Sequence, residues 1–291
     1  AMGERTPVAV LNAPASGRLA IGEVLTNLLA ADIATLKDVR LSANWMAACG
    51  EPGEDAALYA TVEAVGEQLC PALGIAIPVG KDSLSMRTAW REGAESRAVV
   101  APVSLIVSAF APVADVRRTL TPALRTDLGP TRLLLINLGA REPRLGGSVL
   151  AQTHAMLGAT PPDLDDPVRL VRLTAALADL RKAGRILAYH DRADGGLWAT
   201  LAEMAFAGHC GLDITLPAVS QDALLSVLFA EELGVVLQVR DADRDAVGRV
   251  LASHGLAEYC TELGAPTAAA DRLRIKAGST LVLDESWSSP P

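Results

Sequence analysis

Glu23 and Asn27 stand four residues apart in a stretch with helical patterning. One helix face would then present a carboxylate and an amide oxygen together, hard oxygen ligands of the kind Mg²⁺ takes. Two oxygens do not complete a site, and the same pair suits a solvated helix face. Asp191 and Asp194 lie in His190-Asp191-Arg192-Ala193-Asp194-Gly195-Gly196, a loop that joins an apolar run to a helical one. Such a loop lets backbone N–H groups and carboxylates converge on a ligand. Alternatively, Asp194 caps the next helix and the paired glycines only make the turn. A third group, Gly80-Lys81-Asp82-Ser83, with Ser85 just beyond, offers a lysine, a carboxylate and two hydroxyls. It is not a P-loop, because that motif needs Gly where Ile75 stands and a hydroxyl residue where Asp82 stands. It remains either a place to hold phosphate and Mg²⁺ or a solvated turn.

Other reactive residue types form no catalytic pattern. Cys49, Cys70, Cys210 and Cys260 make no CxxC pair and read as ordinary buried thiols. Adjacent His209 and Cys210 are a poor nucleophile–base pair, no hydrolase motif is present, and His190 reads as structural. Glu54 and Asp55 suit the first turn of a helix, where negative charge is favourable without any ligand.

The elements that must position these groups follow from periodicity. Leu19, Ile21, Val24, Leu25, Leu28 and Leu29 predict a helix starting near Ser16-Gly17, and Leu58, Val62, Val65 and Leu69 predict the inward stripe of a second, ending before Pro71. Strands are expected at 75–79 and 99–110, with Gly80–Ser83 in the loop between them. After a stretch with Pro122, Gly129 and Pro130, a domain boundary is placed near residue 128, dividing the chain into 1–128 and 129–291. The second part reads as strand 133–138, helix 149–157, helix 168–183, strand 186–189, a helix running through Met204, strand 235–239, helix 243–253, and strands near Leu273 and Leu281. Alternation of this kind predicts an α/β (α+β) fold of two layered domains.

Composition narrows the function classes. Half of the 291 residues are hydrophobic and only 3% aromatic, so the core is aliphatic. The formal charge is -8, and the basic residues form no stripe, which argues against nucleic acid as the main partner. No apolar run has the length of a membrane span, and the opening residues do not read as a secretory signal; the expected address is cytoplasmic.

Several ordered segments resemble the large, single-chain phosphoribosylformylglycinamidine synthase: Leu41–Ala48, Gly53–Tyr59, Pro78–Met86, His190–Gly196, Glu203–Gly211 and Phe229–Gly234. The resemblance spans nearly the whole chain. It implies an ATP-dependent carbon–nitrogen ligase with glutamine as amido donor, which makes formylglycinamidine ribonucleotide from formylglycinamide ribonucleotide in purine biosynthesis. It also implies two aminoimidazole-ribonucleotide-synthetase-like domains, corresponding to most of that enzyme's second synthetase unit. The first domain would normally complete a pseudo-dimeric β-barrel, so its sheet should expose an apolar face.

By motif match, Glu23, Asn27 and Asp191 look like magnesium ligands of an auxiliary ATP/ADP site, and Ala193 like the residue touching the nucleotide. Ser is usual at that position, and Ala leaves only a backbone contact. A further magnesium-binding Asp of the family would lie upstream of residue 1. Gly80, Lys81, Asp82 and Ser83 resemble a segment that reaches the synthetase active site. The implied partners are the first synthetase unit, the glutaminase domain, formylglycinamide ribonucleotide, ATP and glutamine-derived ammonia. The resemblance assigns no catalytic residue to this stretch and leaves a non-catalytic docking module as the alternative.

Overall fold

A computed structural model describes residues 1–139, 141, 143–268 and 272–286. The first half contains strands β1 (Met2–Glu4), β2 (Arg40–Met46), β3 (Ala76–Ser83), β4 (Arg87–Glu92), β5 (Glu95–Val100) and β6 (Ser104–Phe110). Its helices are α1 (Thr6–Ala9), α2 (Ala13–Leu28), α3 (Glu54–Val62) and α4 (Cys70–Leu73). Four strands form an open sheet in the order β1-β6-β2-β3, with β3 parallel to β2 and the other pairs antiparallel, while β4 and β5 make a separate hairpin.

The second half contains β7 (Thr131–Asn137), α5 (Val149–Thr153), α6 (Pro167–Lys182), β8 (Ala188–Asp191), α7 (Gly196–Gly208), β9 (Gly211–Leu216), α8 (Gln221–Phe229), β10 (Gly234–Arg240), α9 (Arg244–Ser253), β11 (Cys260–Thr267), β12 (Arg272–Ala277) and β13 (Thr280–Ser286). Its seven strands run in the order β13-β12-β9-β11-β7-β10-β8, which puts β8 on an edge. The layered α/β expectation therefore holds.

Helix α2 organises the first half. Asn12 caps it by accepting from the Ala15 N–H at 3.0 Å, and Pro14 sits in its first turn. The start falls a turn earlier than Ser16-Gly17 suggested; Ser16 lies inside the helix and donates to the Ala13 carbonyl. Leu19, Ile21, Val24 and Leu25 are fully buried. Leu105, Val107 and Ala109 on β6 share their cluster. Gly3 lets β1 lie directly on α2, since a Cβ there would overlap the Ala20 carbonyl and the Val24 amide.

The same cluster continues through Leu170, Leu173, Leu177 and Val235, so the two halves share one core. Polar links cross it as well. The Tyr189 hydroxyl donates to the Thr26 carbonyl, and the Arg181 guanidinium to the Leu29 carbonyl at the end of α2.

Several expected elements differ in extent. The Leu58–Leu69 stripe breaks because Glu63–Leu69 winds as a π-helix. The wider turn changes phase, leaving Val62 exposed and burying Thr61 against Gly17. The expected strand at 99–110 is two, β5 and β6. Gly80, Lys81, Asp82 and Ser83 are not a loop but the end of β3, paired with Ala43, Asn44, Trp45 and Met46. The helix expected at 149–157 stops at Thr153, just before Ala155 takes a left-handed conformation. Strand β8 begins two residues later than expected and includes His190 and Asp191.

On the four-stranded sheet, Met2 and Phe110 are exposed on the face away from α2; Val79 on β3 and Val99 and Val100 on the hairpin are exposed as well. Among the described residues, no helix is long and apolar enough to cross a membrane.

Candidate ligand site at the junction of the halves

Strand β8 and helix α2 meet through Tyr189, whose hydroxyl reaches the Thr26 carbonyl. Alternation along a strand sends residues two apart to the same face, so Asp191 turns to α2 as Tyr189 does. Glu23, three residues before Thr26, lies one helical turn away from that contact. Glu23 and Asp191 are close enough for electrostatic coupling, although they are far apart in sequence.

Burial is the main cause that pushes the Glu23 carboxyl up to about 7. The charge of Arg5 and the Glu4 backbone N–H act against it, while Asp194 and Asp191 add to it. Glu23 Oε2 accepts from the Glu4 N–H at 2.9 Å and faces Arg5 Nε at 3.5 Å.

Arg5 is the centre of this junction and was not singled out by the sequence. Its side chain is 2% exposed, and Nη1 lies 2.5 Å from Asp194 and 3.3 Å from Glu231. Its Nε and Nη2 are buried without a hydrogen-bond partner. Glu231 in turn accepts the N–H groups of Val149 at 2.8 Å and Gly195 at 2.9 Å. Burial raises its carboxyl, and those two amides and Arg5 limit the rise. One guanidinium thus joins α2, the 190–196 segment and the turn after α8. Only motif context, the Phe229–Gly234 segment, hinted at Glu231.

The 190–196 segment is held from several sides. Gly195 and Gly196 have φ of 77° and 65°, and a Cβ on Gly196 would lie 2.8 Å from the backbone around Phe229. The cap position of α7 is Gly195, with no side-chain cap. Asp194 is therefore not a helix cap; it is an ion-pair partner of Arg5. Ala193 is half-buried, and its carbonyl accepts from the Gly196 N–H at 3.0 Å. Arg192 is buried and donates to Asn137 Oδ1 at 2.6 Å and to the Leu233 carbonyl at 3.1 Å. Burial lowers its guanidinium to about 10.

His190 sits between two carboxylates, Asp191 at 3.3 Å and Glu203 at 2.7 Å. Burial works to lower its imidazole, but the bonds and charges of Asp191 and Glu203 outweigh it, and the net shift is upward. Asn27, one turn beyond Glu23, points its Nδ2 at the Met2 carbonyl at 3.5 Å.

The donor chemistry suits a hard cation. Glu23 uses Oε2 and Asp191 uses Oδ1 for protein contacts, while Asn27 uses its nitrogen. One oxygen of each is left for a ligand. Among the described residues, no three His, Cys, Asp or Glu side chains are arranged to hold a metal ion by themselves. A cation here would need Asn27, water or a nucleotide phosphate as well.

Gly80–Ser83 is not brought to this junction. It lies on β3, at the opposite edge of the four-stranded sheet from β1. Three strand spacings, about 14 Å, separate those edges. Its side-chain bond is internal, Lys81 Nζ to Ser83 Oγ at 2.5 Å on an exposed surface. A cavity of about 610 Å³ also lies elsewhere, between Trp198, Leu228, Phe229 and Leu283, and no titratable side chain lines it.

Residues 1–112 match the family model of the FGAR-AT PurM_N-like domain, and residues 132–275 that of the AIR synthase related protein, C-terminal domain. Among solved structures, the chain is similar to Thermotoga maritima PurL complexed with FGAR, at 11% identity and a TM-score of 0.75, over 98% of this chain and 44% of that one. It is similar to T. maritima PurL complexed with ATP at 12% identity and TM-score 0.67, over 98% and 42%. It is also similar to E. coli HypE, a hydrogenase maturation protein, at 20% identity and TM-score 0.58, over 93% and 80%. The chain spans less than half of the PurL chains it matches. With an FGAR-AT PurM_N-like unit followed by an AIR-synthase-related C-terminal unit, this protein has the AIR-synthase-like, PurL-type fold.

Proposed function

We propose that the chain is a synthetase-like module of a purine-biosynthetic, ATP-dependent ligase, and that the α2–β8 junction is its Mg²⁺–nucleotide site. The observation that carries this reading is the approach of Glu23 and Asp191, acidic groups from opposite halves, with the charge of Asp191 adding to the cost of ionising Glu23. Together with Asn27 they would hold the cation, and the backbone of Ala193 would face the nucleotide. When bound, Mg²⁺ would neutralise phosphate charge. Arg5 keeps the 190–196 segment against α2, and the glycines let that segment pass under the backbone after α8.

The relatives support the same reading, since PurL structures hold ATP and FGAR. In its finer form, the chain corresponds to most of the second synthetase unit of phosphoribosylformylglycinamidine synthase, divided at about residue 128. The site is then auxiliary to a reaction that uses glutamine-derived ammonia, and the first synthetase unit and glutaminase domain are its partners. Gly80–Ser83 would reach toward the first unit from the exposed edge of the sheet. A stand-alone synthetase-like unit is the second reading, favoured by the match to 80% of HypE.

Calorimetric titration of this chain with ADP, with and without Mg²⁺, tests the site. Binding should require Mg²⁺, fall more than tenfold in Asp191→Ala, and persist in Lys81→Met. Absence of binding by the parent chain would instead support a docking module. Sedimentation at several concentrations separates the two enzyme readings, since a stand-alone unit must form a defined dimer to rebuild paired sites.

A further inference from the structure

We propose that His190 is a positioning residue for Asp191: its Nδ1–H fixes one carboxylate oxygen so that the other is offered to a divalent cation, and Glu203 steadies the imidazole from the far side. The inference rests on the reading of the α2–β8 junction as a cation–nucleotide site.

The geometry is a three-residue relay. His190 Nδ1 is 3.3 Å from Asp191 Oδ1, and Nε2 is 2.7 Å from Glu203 Oε2. Ionised carboxylates only accept, so both ring nitrogens act as donors. Exposure is graded along the relay, from 13% at Asp191 through 20% at His190 to 60% at Glu203. The innermost member is the residue facing α2, and the outermost is anchored on α7.

Among the described residues, the bond from His190 is the one hydrogen bond to the Asp191 carboxylate. Thr200 reaches Asp191 at its backbone carbonyl, at 3.4 Å, and not at its carboxylate. Without His190 the carboxylate would rotate about a broad, two-fold χ2 torsion. A cation ligand needs its oxygen fixed, and losing the hydrogen bond that orients a ligating group commonly lowers metal affinity 10- to 100-fold. His190 is thus assigned to orientation and not to coordination, since both of its nitrogens are already committed to carboxylates.

Two substitutions separate this role from simple packing. An Asn amide nitrogen lies where Nδ1 does, and a Gln amide nitrogen lies where Nε2 does. His190→Asn therefore keeps the donor to Asp191, whereas His190→Gln keeps only the link to Glu203. Mn²⁺ binding in the presence of ADP, read from the free-ion electron paramagnetic resonance signal, should be within threefold of the parent for His190→Asn and at least tenfold weaker for His190→Gln.

Equal affinity in all three proteins, or an equal loss in both variants, would overturn the role of His190 while leaving the site in place. A parent chain that binds no Mn²⁺ would overturn the site, and this role with it. Glu203→Gln provides a further measurement if a His190 variant does not fold: it should weaken Mn²⁺ binding two- to threefold, and an unchanged affinity would count against the relay.

Discussion

The α2–β8 junction and the Gly80–Ser83 end of β3 carry similar residue types, yet the fold treats them differently. At the junction, Arg5 is buried and Glu23 partly so, and the carboxylates around Arg5 come from α2, the 190–196 segment and the turn after α8. At the strand edge, Lys81 bonds to Ser83 two residues away, in solvent. A charged residue acquires unusual properties when distant segments remove its water, and the strand edge lacks that condition.

Breaking the ion pairs should give the largest contrast. Arg5→Met leaves buried carboxylates without their counter-charge and should cost about 3–5 kcal/mol. Lys81→Met should change stability by less than about 0.5 kcal/mol. Urea unfolding of both variants measures the difference, and similar losses would abolish the contrast.

A somewhat smaller effect should appear with pH. The folded-state Glu23 carboxyl titrates at about 7, against an ordinary 4.5. Its contribution to stability is full below the unfolded value and is lost as pH rises through the folded one. In metal-free buffer, the parent should lose up to about 3 kcal/mol relative to Glu23→Gln between those values. Parallel stability curves for the two proteins would show that burial does not act on Glu23 in this way.

Glycine substitutions sharpen the comparison further. Gly196→Ala meets backbone atoms at 2.8 Å and demands a left-handed alanine, so a loss of about 2 kcal/mol is expected. Gly80→Ala meets nothing nearer than the Ala43 carbonyl at 3.7 Å and should fall within about 0.5 kcal/mol of the parent. Thermal unfolding of the pair checks both.

These contrasts also explain what could be read in advance. The shared helix of Glu23 and Asn27 was legible because their relation is local, and the strand-end position of Asp191 because it sits where an apolar run meets paired glycines. Arg5 was illegible because its partners lie 189 and 226 residues away. The placement of Gly80–Ser83 was missed for a related reason: its residue types favour a turn, but pairing with β2 draws them into a strand. Val62 fits a helical stripe until the π-helical turn shifts the phase.

The junction also sets an order of events at synthesis. Arg5 leaves the ribosome long before Glu231, and at ordinary elongation rates a gap of 226 residues lasts roughly 10–45 s. During that interval the guanidinium lacks its buried acceptors, and the apolar face of α2 lacks Leu173, Leu177 and Val235. The surroundings of residue 5 must therefore remain hydrated until then, and the candidate ligand site cannot close before Glu231 has emerged.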